Sequence, residues 1–218
     1  QKAGGFLLLP VLIASLPPAD FTRYGLFISL MHLLAKGASL SLQSAPTRLV
    51  FDYDRVSEQA SLLRTTLWTA VAVSGAGMMI LTLCLTFSGV TDSVTRGSFI
   101  MMLLIMSSVL GTIAVDHSLA LFRVYRQPRL FSAISIVKSI GPVVLYILII
   151  YIVESKFEII VFAYACVLTV VGGGALFITR SRRTEGVFST NMAWKSIYFS
   201  SPIMVSFITL WIVSKSGR

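Results

Sequence analysis

Charge is scarce in this chain, and so are cysteine and histidine. Of its 218 residues only 12% are charged, about half the share usual in a soluble domain. The two cysteines, Cys84 and Cys166, both fall inside apolar runs, where they act as small hydrophobes, so neither a disulfide nor a metal site is expected. No G-x-x-x-x-G-K-[ST] phosphate loop occurs, and the chain is not expected to hydrolyse ATP itself. The glycine run "VGGGA", residues 171–175, lacks the strand and helix context of a nucleotide cradle and reads as close helix packing or a hinge. No catalytic residue and no bound cofactor are expected.

What the chain has instead is long apolar runs. It is 56% hydrophobic with a mean hydropathy of +0.85, and seven stretches stand out, at residues 4–16, 24–44, 67–87, 98–122, 131–152, 157–178 and 197–213. Most are near the ~20 residues that a membrane-spanning helix needs. The fold expected is all-α, a polytopic membrane helical bundle of about seven transmembrane helices. The first stretch is short and the sequence opens on Gln1, so the start of that helix is expected to be missing. It is not a signal peptide, having no cleavage-site pattern.

The net charge of +9 raises the question of nucleic acid, but a nucleic-acid binder gathers its basic residues on one face. Here they fall in short loops between spans, and no nucleic-acid partner is expected. Of the 18 Lys and Arg, eleven lie at the first end and in the second, fourth and sixth loops, five lie on the other side, and Lys36 and Lys138 lie inside spans. That asymmetry puts the N-terminal side in the cytoplasm.

Lys36 sits in "HLLAKGASLSLQ", residues 32–43. An ammonium near a bilayer centre costs ~3 kcal/mol or more, so it must snorkel, pair or face water. On a continuous helix His32, Ser39, Gln43 and Thr47 would lie within about 60° of Lys36, making one polar face from end to end. Two readings stay open: a face turned to a watery cavity, or a lysine snorkelling from inner-leaflet depth. Lys138 lies in "FSAISIVKSIGPVVLY" at a similar depth, ~10 Å from the same membrane surface by the helix rise, with Ser135 and Tyr146 on its side of the helix. Asp116, in the preceding span, matches that depth. Pairing of Asp116 with one lysine would leave a surplus positive charge suited to a phosphate; the alternative is that all three are held in structural pairs, with Arg123 closing on Asp116. His117 follows about 100° round the helix, either a proton-coupling site or a satisfied interfacial histidine.

Three segments carry a resemblance. "KAGGFLLLPVLIASLPPADFTRYGLFISL", "ALFRVYRQPRLFSAISI" at 120–136 and "YFSSPIMVSFITLWIVSKSGR" resemble the first helices, the fourth-to-fifth helix connection and the opening of the second half of bacterial O-antigen and polysaccharide repeat-unit flippases. These belong to the multidrug/oligosaccharidyl-lipid/polysaccharide exporter superfamily. Where relatives commonly carry an Asp-Arg pair after the serines of the seventh helix, this chain has Gly217-Arg218.

The resemblance implies two six-helix lobes round a central cavity, of which 1–180 would be the N-terminal lobe, 181–196 a cytoplasmic linker and 197–218 the truncated start of the second. It implies a bacterial inner-membrane flippase that moves undecaprenyl-pyrophosphate-linked oligosaccharide by alternating access, coupled to a proton or sodium gradient. The partners implied are that lipid-linked oligosaccharide, membrane lipids and polysaccharide polymerase machinery. On this reading Lys36, Lys138, His32, Ser39 and Gln43 line the substrate cavity, and Asp116 and His117 balance charge or couple ions. Other classes weighed are a cation-coupled drug or metabolite antiporter, a membrane scaffold, and a membrane glycosyltransferase or polymerase. Against the last, the outer loops offer only Asp20, Asp92, Glu154 and Glu158 in short connections.

Overall fold

The computed structural model describes residues 10, 12–37, 39–87, 99–150, 157–180 and 186–216. Most of the 4–16 stretch, Asp92, Glu154 and the terminal Gly217-Arg218 pair lie outside the described residues. Within them the fold is all-α, a helical membrane-type bundle.

The first long helix, α1 (Pro18–Gly37), begins as its sequence requires. Proline is favoured in a helix's first turn because its missing N–H has no intrahelical acceptor there. Asp20 lies in that turn, with its carboxylate 3.2 Å from the Arg23 guanidinium, where a negative charge meets the positive end of the helix dipole.

The expected span 24–44 is not one helix. α1 stops at Gly37, the residue type that most readily ends a helix. Leu40 and Ser41 then take left-handed backbone angles, φ 49° and 52°. The Ser41 amide donates to the Lys36 carbonyl at 3.1 Å, and the Leu40 amide donates to that of Gly37 at 3.0 Å. A short α2 (Ala45–Leu49) follows, between single helical turns at Leu42–Ser44 and Val50–Asp52. Its line is bent 59° from α1.

Four long helices complete the bundle: α3 (Val56–Phe87), α4 (Phe99–Val124), α5 (Pro128–Ile150) and α6 (Phe157–Ile178). A last one, α7 (Thr190–Ser216), starts ahead of the expected span and rests on α3, α1 and α2. Among the described residues three helices are long and apolar enough to cross a membrane, Ile100–Val124, Pro128–Ile149 and Phe157–Ile178, or four if the bent pair of α1 and the segment after it forms one span. The chain is thus a multi-pass membrane protein, and large apolar side chains such as Leu110, Leu148 and Phe177 lie exposed on these helices, as a lipid-facing surface requires.

The bundle is built on α4 and α6, its most extensive helix pair. Gly111 and Gly172 let the two backbones touch. A Cβ on Gly111 would lie 2.6 Å from the Leu168 carbonyl carbon, and one on Gly172 would lie 2.9 Å from the Gly111 oxygen. Small residues at such crossings replace the hydrophobic effect with close van der Waals contact. In the glycine run only Gly172 has this role, since a Cβ on Gly173 or Gly174 would meet nothing within 4 Å; α6 passes through the run unbroken. Gly111→Ala should therefore cost about 1–3 kcal/mol by forcing the helices apart. Gly174→Ala should be neutral or mildly stabilising. Melting curves of the two variants in detergent check the contrast, and equal melting would show that the close approach does not matter.

One end of the bundle is tied by polar contacts. The Arg64 guanidinium donates to the Gly186 carbonyl at 2.8 Å, and the Val187 and Ser189 amides donate to Ser61 Oγ at 3.0 Å and Thr65 Oγ1 at 3.1 Å. Residues 186–189, within the expected linker, are thus laid along α3. Lys195 reaches Asp52 at 3.1 Å and stands 5.2 Å from the Tyr53 ring centroid. The bond to Asp52 raises the Lys195 pKa above its ordinary 10.5. A raised folded-state pKa means that the pair's stabilisation is complete below the unfolded value and fades as pH climbs through the folded one. Both side chains are nearly half exposed, so Lys195→Met should cost no more than ~1 kcal/mol at neutral pH, with the difference from wild type vanishing in strongly alkaline melts.

A charged cavity at the break in the first helix

Three charged side chains from three helices meet at the end of α1. Lys36 is in its last turn, Asp116 is two turns before the end of α4, and Lys138 is near the middle of α5. Asp116 bridges both lysines, with Oδ2 at 2.7 Å from Lys36 Nζ and Oδ1 at 2.5 Å from Lys138 Nζ. Each carboxylate oxygen thus accepts one charge-assisted bond. The two lysines differ in setting: the Lys138 side chain is 9% exposed and that of Lys36 is 29% exposed.

Lys36 and Asp116 open onto a cavity of about 520 Å³, whose other walls include Gln43, Ser44, Thr47, Arg123 and Ser135. Gln43 and Thr47 reach it because the chain breaks after Gly37 and brings the Leu42–Leu49 stretch back toward α4. The continuous polar face does not exist. Ser39 is buried in the turn, with its hydroxyl 2.5 Å from the Ala35 carbonyl and 3.3 Å from Gln43 Oε1; its single proton serves the nearer acceptor. His32, one turn before Lys36, is exposed and does not line the cavity. His117 is fully buried beside Asp116 but outside the cavity lining.

Arg123 does not close on Asp116. Its guanidinium stands 4.9 Å from the centroid of the Phe131 ring, a cation–π distance. Arg123 and Phe131 both line the cavity, and sequence reasoning missed their pairing because it weighed Arg123 as a counter-ion for Asp116. The signal was the spacing: eight residues across a helix–turn–helix connection bring a last-turn arginine over a first-turn aromatic.

Lys138, expected to line the cavity, is bonded to Asp116 and lies outside the lining. Lys36 and Arg123 against Asp116 still leave the lining with a net positive charge. The cavity can therefore hold an anion through charge-assisted hydrogen bonds, with hydroxyls from Ser44, Thr47 and Ser135 at its walls. Fold and site together define a class, the multi-pass helical membrane proteins with a cationic cavity at one end of the bundle. No family model, curated protein or solved structure matches the chain.

Proposed function

We propose that the chain is the N-terminal lobe, with the first helix of a second lobe, of an inner-membrane flippase for undecaprenyl-pyrophosphate-linked oligosaccharides, belonging to the family that its three segments resemble. The observation that carries this reading is the cationic cavity, in whose lining Lys36 and Arg123 outnumber Asp116, while Lys138 holds Asp116 from behind. A pyrophosphate cannot cross hydrocarbon unaided, and cations in a recess at inner-leaflet depth offset its loss of hydration. In this reading about seven helices span the membrane, the N-terminus is cytoplasmic, and Lys36 meets the pyrophosphate as it leaves the inner leaflet. Asp116 then balances charge until the anion arrives. Rocking of the lobes, driven by a proton or sodium gradient, carries the cargo across.

The antiporter reading is weaker on the same ground. A cationic drug needs an available carboxylate, whereas both oxygens of Asp116 already accept from lysines.

The test is photo-crosslinking of the purified chain with a lipid-linked oligosaccharide carrying its photoreactive group beside the diphosphate. Adducts should map to the Lys36 cavity and decline when inorganic pyrophosphate is added. Labelling that pyrophosphate leaves untouched, but a quaternary ammonium drug suppresses, would overturn the flippase reading in favour of the antiporter.

A further inference from the structure

A second recess, of about 370 Å³, shares the Arg123–Phe131 pair with the first. It is lined by Phe122, Arg123, Arg126, Gln127, Pro128 and Phe131, all from the α4–α5 turn and the helix ends beside it. The turn is tight: Arg126 takes a left-handed φ of 50°, and the Gln127 amide donates to the Phe122 carbonyl at 2.9 Å. Both helices that it joins are long and apolar enough to cross a membrane. A connection this short between two spans lies at the membrane surface, where lipid headgroups are. Three arginines, Arg123, Arg126 and Arg129, fall within seven residues here, and the sequence from His117 to Val153 contains no aspartate or glutamate.

We propose that this recess binds the phosphate headgroup of an anionic membrane lipid. Arg126, exposed on the turn, holds the phosphate at the mouth of the recess, and Pro128 and Phe131 cover the glycerol and first methylenes. Basic pockets at the ends of membrane helices attract anionic headgroups, and guanidinium forks match phosphate oxygens in pairs. The apolar walls decide between a lipid and a soluble phosphate, since a free phosphate gains nothing from a phenylalanine and a proline. Topological charge explains arginines in such a loop but not the recess between them. The recess shares Arg123 and Phe131 with the Lys36 cavity, but Arg126, Gln127 and Pro128 do not line that cavity, and the proposal does not depend on what the cavity transports.

The experiment is a binding titration of the purified chain in a neutral detergent with short-chain phosphatidylglycerol, phosphatidylcholine and glycerol phosphate, read by native mass spectrometry. Phosphatidylglycerol should bind, while phosphatidylcholine and glycerol phosphate bind at least tenfold more weakly. Arg126→Gln should weaken phosphatidylglycerol about fivefold, the worth of one surface cation. Arg48→Gln, which removes an exposed cation from α2, should change it less than twofold. Equal binding of phosphatidylcholine would overturn the proposal, as would tight binding of glycerol phosphate, which would assign the recess to a soluble anion. Equal losses from Arg48→Gln and Arg126→Gln would overturn it too, because general surface charge would then account for the binding.

Discussion

Asp116→Asn should strip the membrane of most of its folded protein. The amide can still accept a hydrogen bond but cannot balance charge, and Lys138, 9% exposed and bonded to Asp116, would be left as a buried, uncompensated cation. Removing one partner of such a pair costs about 3–5 kcal/mol, a large part of the 5–15 kcal/mol that typically holds a domain together. The informative comparison is between two rescues. Asp116→Asn with Lys138→Met removes both buried charges and should restore the folded fraction, because Lys36 can still reach cavity water. Asp116→Asn with Lys36→Met leaves the buried lysine stranded and should rescue nothing. Folded yield by fluorescence-detected gel filtration, with melting temperature beside it, measures all three. A single Asp116→Asn variant that melts like wild type would mean that the bridge contributes no stability.

Lys36 should behave in the opposite way, losing binding without losing fold. Its side chain is the more exposed of the two lysines and lines the cavity, so Lys36→Leu leaves Asp116 paired with Lys138. Melting should stay close to wild type, while affinity for inorganic pyrophosphate should drop at least about tenfold, as expected when one hydrogen bond to a charged group is lost. Lys36→Arg, which keeps the charge in another shape, should retain part of that affinity. Calorimetric titration of the three proteins with pyrophosphate decides it. Undiminished binding by Lys36→Leu would leave Lys36 as an ion-pair partner of Asp116 with no part in an anion site.

The contrast between these outcomes was only half legible in the sequence. Apolar run length located α4, α5 and α6 to within a few residues, and for α6 the expected and observed limits coincide at 157–178. The helix rise placed Lys36, Lys138 and Asp116 at one depth, which is a one-dimensional measure. That a single carboxylate spans both lysines depends on three-dimensional packing of α1, α4 and α5, which periodicity does not carry. The break after Gly37 was signalled by Gly37, Ser39, Ser41 and Pro46 together, but the leucines among them outweighed those residues in a hydropathy reading. Gln43 and Thr47 consequently line the cavity for a different reason than a shared helical face. His32 belonged to that face on paper and lies outside the cavity. His117 shows the other limit: one residue from Asp116 in sequence, it is a third of a turn away on α4 and outside the cavity.

The contact between Gly111 and Gly172 has a mechanical consequence. Two helices whose backbones touch cannot roll or slide past one another without first separating, so α4 and α6 behave as a keel that any rearrangement must carry whole. Compliance belongs where the helical ladder is already interrupted. At residues 39–41 the backbone has left the regular i→i−4 pattern, and a change of a few dihedral angles there would swing the Lys36 end of α1 relative to Gln43 and Thr47 with little cost to the rest. The charged site is thus mounted across a joint, with Asp116 on the rigid member and Lys36 at the edge of the pliant one.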